Sequence, residues 1–240
     1  MTATHADALV SAMAAEIHDG DVVATGVASP LAVLAIAVAK ATHAPRLTYL
    51  ACVGAVNPEV RRLLASSEDL AYLERRRGDI SIPDLFDHAR RGRIDTIFFG
   101  AAEVDRTGRS NMSAIGSLAE PTVKLPGVAG AAALRRWVKH PVLVMPKQTK
   151  RNLVERVQVA STMDARPTPL LTDLARFQVG GQGAQLHSHR AWTTPAEVAE
   201  RTGFSFTLAV DLETDSAPSA PTLAAIGALD PDNLRERLVG

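Results

Sequence analysis

Leu47-Thr48-Tyr49-Leu50-Ala51-Cys52-Val53-Gly54-Ala55 reads as a strand that runs into a glycine turn. A short apolar run bounded by turn residues fits a strand covered on both faces. Upstream, Leu31 to Ala41 is apolar nearly all round, which marks a buried helix. Pro30 suits its first turn, where a missing N–H has no partner to lose. Before it, Val22-Val23-Ala24-Thr25 is a second short strand that stops at Gly26. Strand, buried helix and strand within about 30 residues make a βαβ unit, whose crossover is right-handed. In such sheets ligands sit beyond the carboxyl ends of the strands. The turn at Cys52, Val53 and Gly54 is therefore the first candidate site. It holds no carboxylate, and its nucleophile is the single cysteine of the chain.

The same pattern continues outward. Ala6 to Ile17 has helical spacing, with Leu9, Val10, Met13 and Ile17 on one face. Asn57-Pro58 predicts a turn and Glu59 to Leu64 a short helix; Glu74 to Gly78 reads as a solvated loop. Ser81 caps a helix over Ile82 to Arg91 that is expected to bury Ile82, Leu85, Phe86 and Ala89. Thr96 to Gly100 is a strand covered on both faces. Gly100 to Gly130 is long, polar and glycine-rich, and loops of that length in a compact domain usually carry function. Val142 to Met145 is another central strand, Lys147 to Arg156 is basic, and Val157 to Ser161 reads as an edge strand. Pro169 to His189 predicts two antiparallel strands that turn at Gly180-Gly181-Gln182-Gly183. Thr194 to Glu197 is a capping box for a helix ending at Gly203, Phe204 to Val210 is extended, and the tail forms one or two short helices. The whole predicts an α/β fold in a single domain over residues 1–240: a mostly parallel open sheet, helices on both faces, and a C-terminal antiparallel hairpin.

Composition excludes several classes. Lys plus Arg and Asp plus Glu number 26 each, so net charge gives no sign of a nucleic-acid or anionic-membrane partner. One cysteine makes neither an internal disulfide nor a zinc cluster. The longest apolar run, Leu31 to Ala39, is about half a membrane span, and Met1 to Ile17 lacks the basic start of a signal peptide. A soluble, cytoplasmic protein is expected. His187-x-His189 has no third ligand nearby, so it reads as a polar hairpin edge and no metal is expected. Lys147-Gln148-Thr149-Lys150-Arg151 either attracts phosphates or forms a solvated basic surface.

Several segments line up, in order, with one family. Val22 to Gly26, Ser29-Pro30 and Leu31 to Lys40 match its opening strand, turn and buried helix. Gly100-Ala101-Ala102-Glu103-Val104-Asp105-Arg106-Thr107-Gly108-Arg109-Ser110-Asn111 matches its mid-chain signature. Gly127-Val128-Ala129-Gly130 matches its glycine-rich loop, with Ala129 in place of the second glycine, and Pro141 to Met145 its next strand. On these residues the chain resembles the β subunit of the class I coenzyme A transferases, especially the glutaconate CoA-transferase type. The resemblance covers nearly the whole chain.

One position departs from that pattern. Transferases of the family carry a nucleophilic glutamate on the second strand, in a Glu-x-Gly motif, which attacks the acyl-CoA thioester. Counting from Ala44-Pro45, the glutamate position falls at Cys52, with Val53-Gly54 completing the motif; a slip of one residue puts Ala51 there. Neither is a carboxylate. The next acid along the chain, Glu59, is expected on a helix surface beyond the Asn57-Pro58 turn.

A branch of the family lacks the glutamate: the CoA-transferase-like hydrolases that open the last ring in actinobacterial steroid degradation. The resemblance to their β subunit implies hydrolytic, retro-Claisen cleavage of a carbocyclic CoA thioester in steroid and cholesterol catabolism. It implies a general base on an α subunit, an α2β2 assembly, and no cofactor, CoA arriving as part of the substrate. No residue of this chain is then assigned to catalysis. Cys52, Val53, Gly54, Glu103, Asn111, Gly127, Val128, Ala129 and Gly130 are the candidate substrate contacts. Each has a plainer reading. Cys52 is either a nucleophile or a small apolar side chain at a strand end. Glu103 meets substrate or partner, or is an exposed loop acid. Asp105, Gly108 and Asn111 read first as turn formers. The Gly127 loop either admits substrate backbone-close or merely turns. The alternatives for the whole chain are a CoA transferase subunit whose carboxylate comes from elsewhere and a non-catalytic scaffold or regulatory binding subunit.

Overall fold

The computed structural model describes residues 3–240. They gather into two compact units. One holds the chain as far as Phe98, Trp137–Pro141 and Ala217–Gly240; the other holds Phe99–Arg136 and Val142–Ser216.

In the first unit, α1 (His5–Ala15) opens with a capping box in which Thr4 and Asp7 satisfy each other's backbone N–H. It is followed by β1 (Val22–Ala24), α2 (Pro30–Thr42), β2 (Thr48–Ala51), β3 (Ala55–Val56), β4 (Gly78–Asp79), α3 (Ile82–Arg90) and β5 (Thr96–Gly100). The sheet order is β5-β1-β2-β3-β4. β1 pairs in parallel with both β2 and β5, so it is central; β3 and β4 add antiparallel. β1, α2 and β2 are the predicted βαβ unit. Helix α2 buries Leu31, Val33, Leu34, Ile36 and Val38 and packs between α1 and the C-terminal helix Ala220–Leu229. Its burial on two sides explains why it is apolar all round. The last helix, Leu234–Val239, is tied down by buried Arg235, which binds Asp7 at 2.7 Å and Asp230 at 3.0 Å.

Two expectations fail here. Residues 59–64 form no helix: Leu63 is buried and gives its N–H to Leu229 at 2.7 Å, and Glu59 gives its own to Arg75. Tertiary hydrogen bonds take the donors that a helix would have used. On α3, Leu85 and Ala89 are buried as expected, but Ile82 is half exposed and Phe86 only partly covered.

The second unit contains β6 (Glu103–Asp105), β7 (Ser110–Asn111), β8 (Ala114–Gly116), β9 (Pro121–Lys124), α4 (Ala131–Trp137), β10 (His140–Met145), β11 (Leu153–Val154), β12 (Thr168–Thr172), β13 (Ala175–Gly180), β14 (Gly183–Arg190), α5 (Pro195–Glu200) and β15 (Thr207–Asp215). Its main sheet runs β15-β14-β13-β12-β10. β10 and β12 are parallel, β12, β13 and β14 form an antiparallel meander, and β15 returns parallel to β14. The predicted C-terminal hairpin is therefore a three-stranded meander, with Gly181-Gln182 at its second turn. β14 lies between two strands, so His187 and His189 are not on an edge. The stretch from Gly100 to Gly130 is not one loop. It folds into β6, β7, β8 and β9, with β6 between β7 and β11 and β8 paired to β9. Residues 157–161 are not a strand; Ser161 and Thr162 instead hang on Ser110 by backbone bonds of 2.9 to 3.1 Å. The basic segment is not uniformly solvated either. Gln148 is fully buried and holds Thr172, Thr202, Asp173 and Val198.

Candidate active site

The predicted site residues fall into two clusters, one in each unit, and they are built in different ways. In the first unit, the parallel β1 and β2 end level, since Thr25 gives its N–H to Leu50 at 3.1 Å. Thr25 is buried and its hydroxyl lies 3.0 Å from that of Tyr49. The same Thr25 oxygen accepts the Cys52 N–H at 3.5 Å. The chain then reverses in a tight turn, closed by the bond from the Gly54 N–H to Ala51 at 2.9 Å. Gly54 needs to be glycine: its φ is +106°, where a side chain is strained, and a Cβ would meet the Ile80 carbonyl at 3.4 Å.

That turn leaves Cys52, Val53 and Gly54 half-buried. The Cys52 thiol donates to the Gly26 carbonyl at 3.1 Å and points also toward the Ser67 carbonyl at 4.0 Å. Burial pushes the thiol pKa up from its ordinary 9.0; the Thr25 hydrogen bond opposes this, and the charge of Glu68 adds to it. A nucleophilic cysteine needs the reverse, a cation or a base that favours thiolate. At neutral pH Cys52 is a protonated donor.

Glu68 is the residue that sequence reasoning misses. Its Oε1 accepts the Ala28 N–H at 2.8 Å, and its Oε2 accepts the Ser66 and Ser67 hydroxyls, each at 2.8 Å. Burial works against its charge, but the bonds from Ser67, Ser66 and Ala28 prevail and hold its pKa below the ordinary carboxylate value. The acid beside the cysteine is thus Glu68, while Glu59 sits exposed with Arg61 and Arg75. In sequence, Ser66-Ser67-Glu68-Asp69 looks like any polar turn, and only folding carries it to the Gly26–Ser29 loop.

In the second unit, the signature segment forms a buried polar frame. Glu103 and Asn111 face each other across β6 and β7. Both are buried, at 1% and 0% exposure, which overturns the reading of Glu103 as an exposed loop acid. Asn111 donates to Glu103 Oε2 at 2.8 Å; the Gln158 N–H does so at 3.0 Å, and the Gln158 side chain donates to Oε1 at 3.0 Å. Three neutral donors surround one carboxylate, which is how a buried acid avoids the cost of desolvation. Asn111 also donates to the Ala114 carbonyl and accepts the N–H groups of Ser113 and Ala114. Asp105 makes the turn expected of it, accepting Thr107 and Arg109 N–H groups, with Gly108 at φ +77°.

The Gly127 loop hangs on that frame through the bond from the Gly127 N–H to Met112 at 2.9 Å. It leads into α4, whose Leu134 N–H is accepted by the Gly130 carbonyl at 3.0 Å. Gly127 is at φ +100° and Ala129 at +41°, so the alanine in place of glycine keeps a left-handed backbone. Val128 and Gly130 are half-buried and Ala129 is exposed. Glu103, Asn111 and the loop are therefore brought together by hydrogen bonds. Among the described residues, no group of three or more His, Cys, Asp or Glu is arranged to hold a metal. His189 binds the Arg190 carbonyl and Thr214, neither a metal-type neighbour.

The coenzyme A transferase family model matches residues 7–179. A chain of the crystal structure of the decarboxylase AibA/AibB is 60% identical to this one, covers 99% of both chains, and superposes with a TM-score of 0.96. That protein has also been solved with one cysteine replaced by asparagine, valine, alanine or serine. One subunit of the 3-oxoadipate CoA-transferase of Pseudomonas knackmussii B13 is 31% identical over 156 residues, 58% of this chain and 60% of that protein. The cholesterol ring-cleaving hydrolase IpdB subunit of Rhodococcus jostii RHA1 is 29% identical over 175 residues, 65% of this chain and 67% of that protein. The crystal structure of R. jostii RHA1 IpdAB, 22% identical with a TM-score of 0.84, has the same fold over the full length of both chains. The matched part of the chain thus spans about 60% of the first of these curated relatives. No helix among the described residues is long and apolar enough to cross a membrane.

Proposed function

The chain belongs to the coenzyme A transferase family, and from that premise we propose that it is the β subunit of a heteromeric enzyme that decarboxylates a CoA thioester. The observation that carries this reading is its 60% identity, over 99% of both chains, to a chain of the decarboxylase AibA/AibB. The chemistry of Cys52 agrees. A transferase needs a carboxylate nucleophile at this turn; here a protonated thiol gives its hydrogen to a carbonyl.

Without a covalent step, the substrate's own thioester does the work. The bond to a carboxylate carbon breaks, CO2 leaves, and the electron pair delocalises toward the thioester carbonyl. The carbon left behind then takes a proton. What the protein supplies is binding, exclusion of water and donors aimed at the developing oxyanion. The proton donor belongs to an α subunit of the same family, with which this chain forms the enzyme as α2β2. No cofactor is required, CoA being part of the substrate, and the complex works in the cytoplasm with the CoA pool.

Ring-opening hydrolysis, the reading that the sequence alone suggests, stays as the second. The match to the IpdB subunit favours it. In that reaction water attacks a ring ketone, but the electron pair released is again held by the thioester. The test is a panel offered to the purified two-subunit complex: CoA monothioesters of saturated and α,β-unsaturated dicarboxylic acids, and a cyclic β-keto CoA thioester. Release of CO2 from a dicarboxylate member, independent of any added acid, is expected. Ring opening alone would move the second reading to first place. CoA transfer that depends on added acetate would overturn both.

A further inference from the structure

The pair Ser67–Glu68 has no part in the chemistry above, yet it controls the loop against which Cys52 rests. Ala28, in that loop, has φ +53°, a backbone conformation that alanine holds only when its surroundings impose it. Glu68 grips the Ala28 N–H at 2.8 Å. The Ser67 hydroxyl, fully buried, accepts the next N–H, that of Ser29, at 3.0 Å. Its own proton goes to Glu68 Oε2 at 2.8 Å or to the Gly26 carbonyl at 3.3 Å. The successive N–H groups of Ala28 and Ser29 are thus held by two side chains from a segment about 40 residues away. The Gly26 carbonyl at the head of that loop is the acceptor of the Cys52 thiol at 3.1 Å. Ser29 gives α2 no side-chain cap, so these external bonds take over the task of ordering its entry.

We propose that Ser67 and Glu68 are positioning residues of the CoA-thioester site: they clamp the Gly26–Ser29 loop so that the Gly26 carbonyl fixes the Cys52 thiol in one orientation. This rests on the reading that places the site at the Cys52 turn. Both carboxylate oxygens of Glu68 are engaged in ordering the loop, which fits a positioning role. Its charge has a second effect, since after burial it is among the causes that keep the thiol protonated. A positioning carboxylate can be replaced by an amide, which still accepts from Ala28; a carboxylate that reacts cannot.

The test uses Glu68→Ala, Glu68→Gln and Ser67→Ala in the full chain purified with its partner subunit. Two quantities are read. One is the rate of Cys52 alkylation by iodoacetamide between pH 7 and 11, followed by the mass of this chain, where Cys52 is the single thiol. The other is kcat and KM with the thioester that turns over. Glu68→Ala is expected to speed alkylation several-fold at a given pH, because it removes a charge that disfavours the thiolate. It is expected to lower kcat by about 10- to 100-fold with little change in KM, as a misplaced group does. Ser67→Ala is expected to lower kcat likewise but not to speed alkylation, because Ser67 is among the groups that favour the thiolate. Glu68→Gln is expected to restore kcat to within about threefold while its alkylation profile stays shifted to lower pH. Wild-type alkylation and kcat in all three variants would overturn the proposal. So would a Glu68→Gln as slow as Glu68→Ala, which would make the charge itself the agent. If the wild-type complex turns over no thioester, the functional reading fails, while the alkylation profile still decides whether the clamp exists.

Discussion

At the scale of single residues, burial shifts the ionisation of two side chains. Burial raises the folded-state pKa of Cys52 above 9.0. The unfolded thiol therefore loses its proton first. The stability this gives is fully present below the ordinary thiol value and is lost as pH rises toward the folded one. As pH rises through and above the ordinary thiol value, the denaturation midpoint of the wild type is expected to fall relative to that of Cys52→Ser; parallel curves would refute the assignment. Arg135 on α4 is the other case. It has 0% exposure and donates to Thr162 at 2.9 Å, but its Nε and Nη2 have no partner among the described residues. Burial pushes its pKa down to about 10, the charges of Asp164 and Asp105 only partly offsetting this. A buried, half-satisfied cation is a net cost, so Arg135→Met is expected to leave stability unchanged or raise it by about 1–4 kcal/mol, read from the denaturation midpoint. A loss of several kcal/mol would show that the single Thr162 bond outweighs desolvation. Nothing in the sequence Leu134-Arg135-Arg136-Trp137 separates the buried arginine from its exposed neighbour; that difference is set by tertiary packing.

At the scale of elements, the sequence is most legible where one physical signal dominates. The apolar runs of β1, α2, β2 and β5, and the caps Ser81 and Thr194, appear as the pattern predicts. It is least legible where short strands are held by side chains. β6 and β7 are two or three residues each and exist because Glu103, Asn111 and Asp105 satisfy the backbone around them. No periodicity can announce a strand that short. Residues 59–64 fail for the opposite reason, since the N–H groups of Leu63 and Glu59 go to the distant carbonyls of Leu229 and Arg75. Gly203 belongs at this scale. Its place in the sequence suggests a helix end, but α5 stops at Glu200, and what Gly203 does is pack against the segment leading to β11. Its N–H binds the Leu153 carbonyl at 2.7 Å, and a Cβ there would lie 2.3 Å from that oxygen and 2.9 Å from the carbonyl of Lys150. Neither neighbour is a side chain able to step aside. Gly203→Ala is expected to cost about 1–3 kcal/mol, read as a lower denaturation midpoint, with α5 retained in circular dichroism. An unchanged midpoint would mean that the backbone of residues 150–153 yields freely.

At the scale of the whole molecule, the question is whether the family's covalent chemistry survives anywhere in this chain. The family likeness, the α/β class and the missing glutamate are all visible in the sequence; the positions of Glu68 and Glu103 are not. They matter because each is a carboxylate near a predicted contact residue and either could have replaced the lost nucleophile. Glu103 is surrounded by three donors and is 1% exposed, and Glu68 holds two hydroxyls and an N–H. Each spends three of its acceptor positions on bonds that order its own loop, and acylation would weaken those bonds. Burial also disfavours the thiolate that Cys52 would need to take an acyl group on sulfur. On the proposed non-covalent reading, the chain is expected to carry no acyl or CoA group during turnover. Intact-mass measurement of this chain, quenched in acid while the complex is consuming substrate, is expected to show only the unmodified mass. The same holds for Cys52→Ser, which lacks the sole thiol. An increment matching CoA or the acyl group in the wild type, lost in Cys52→Ser, would instead make the cysteine the nucleophile. One lost in Glu68→Ala would give that role to Glu68 and end the non-covalent reading of the enzyme.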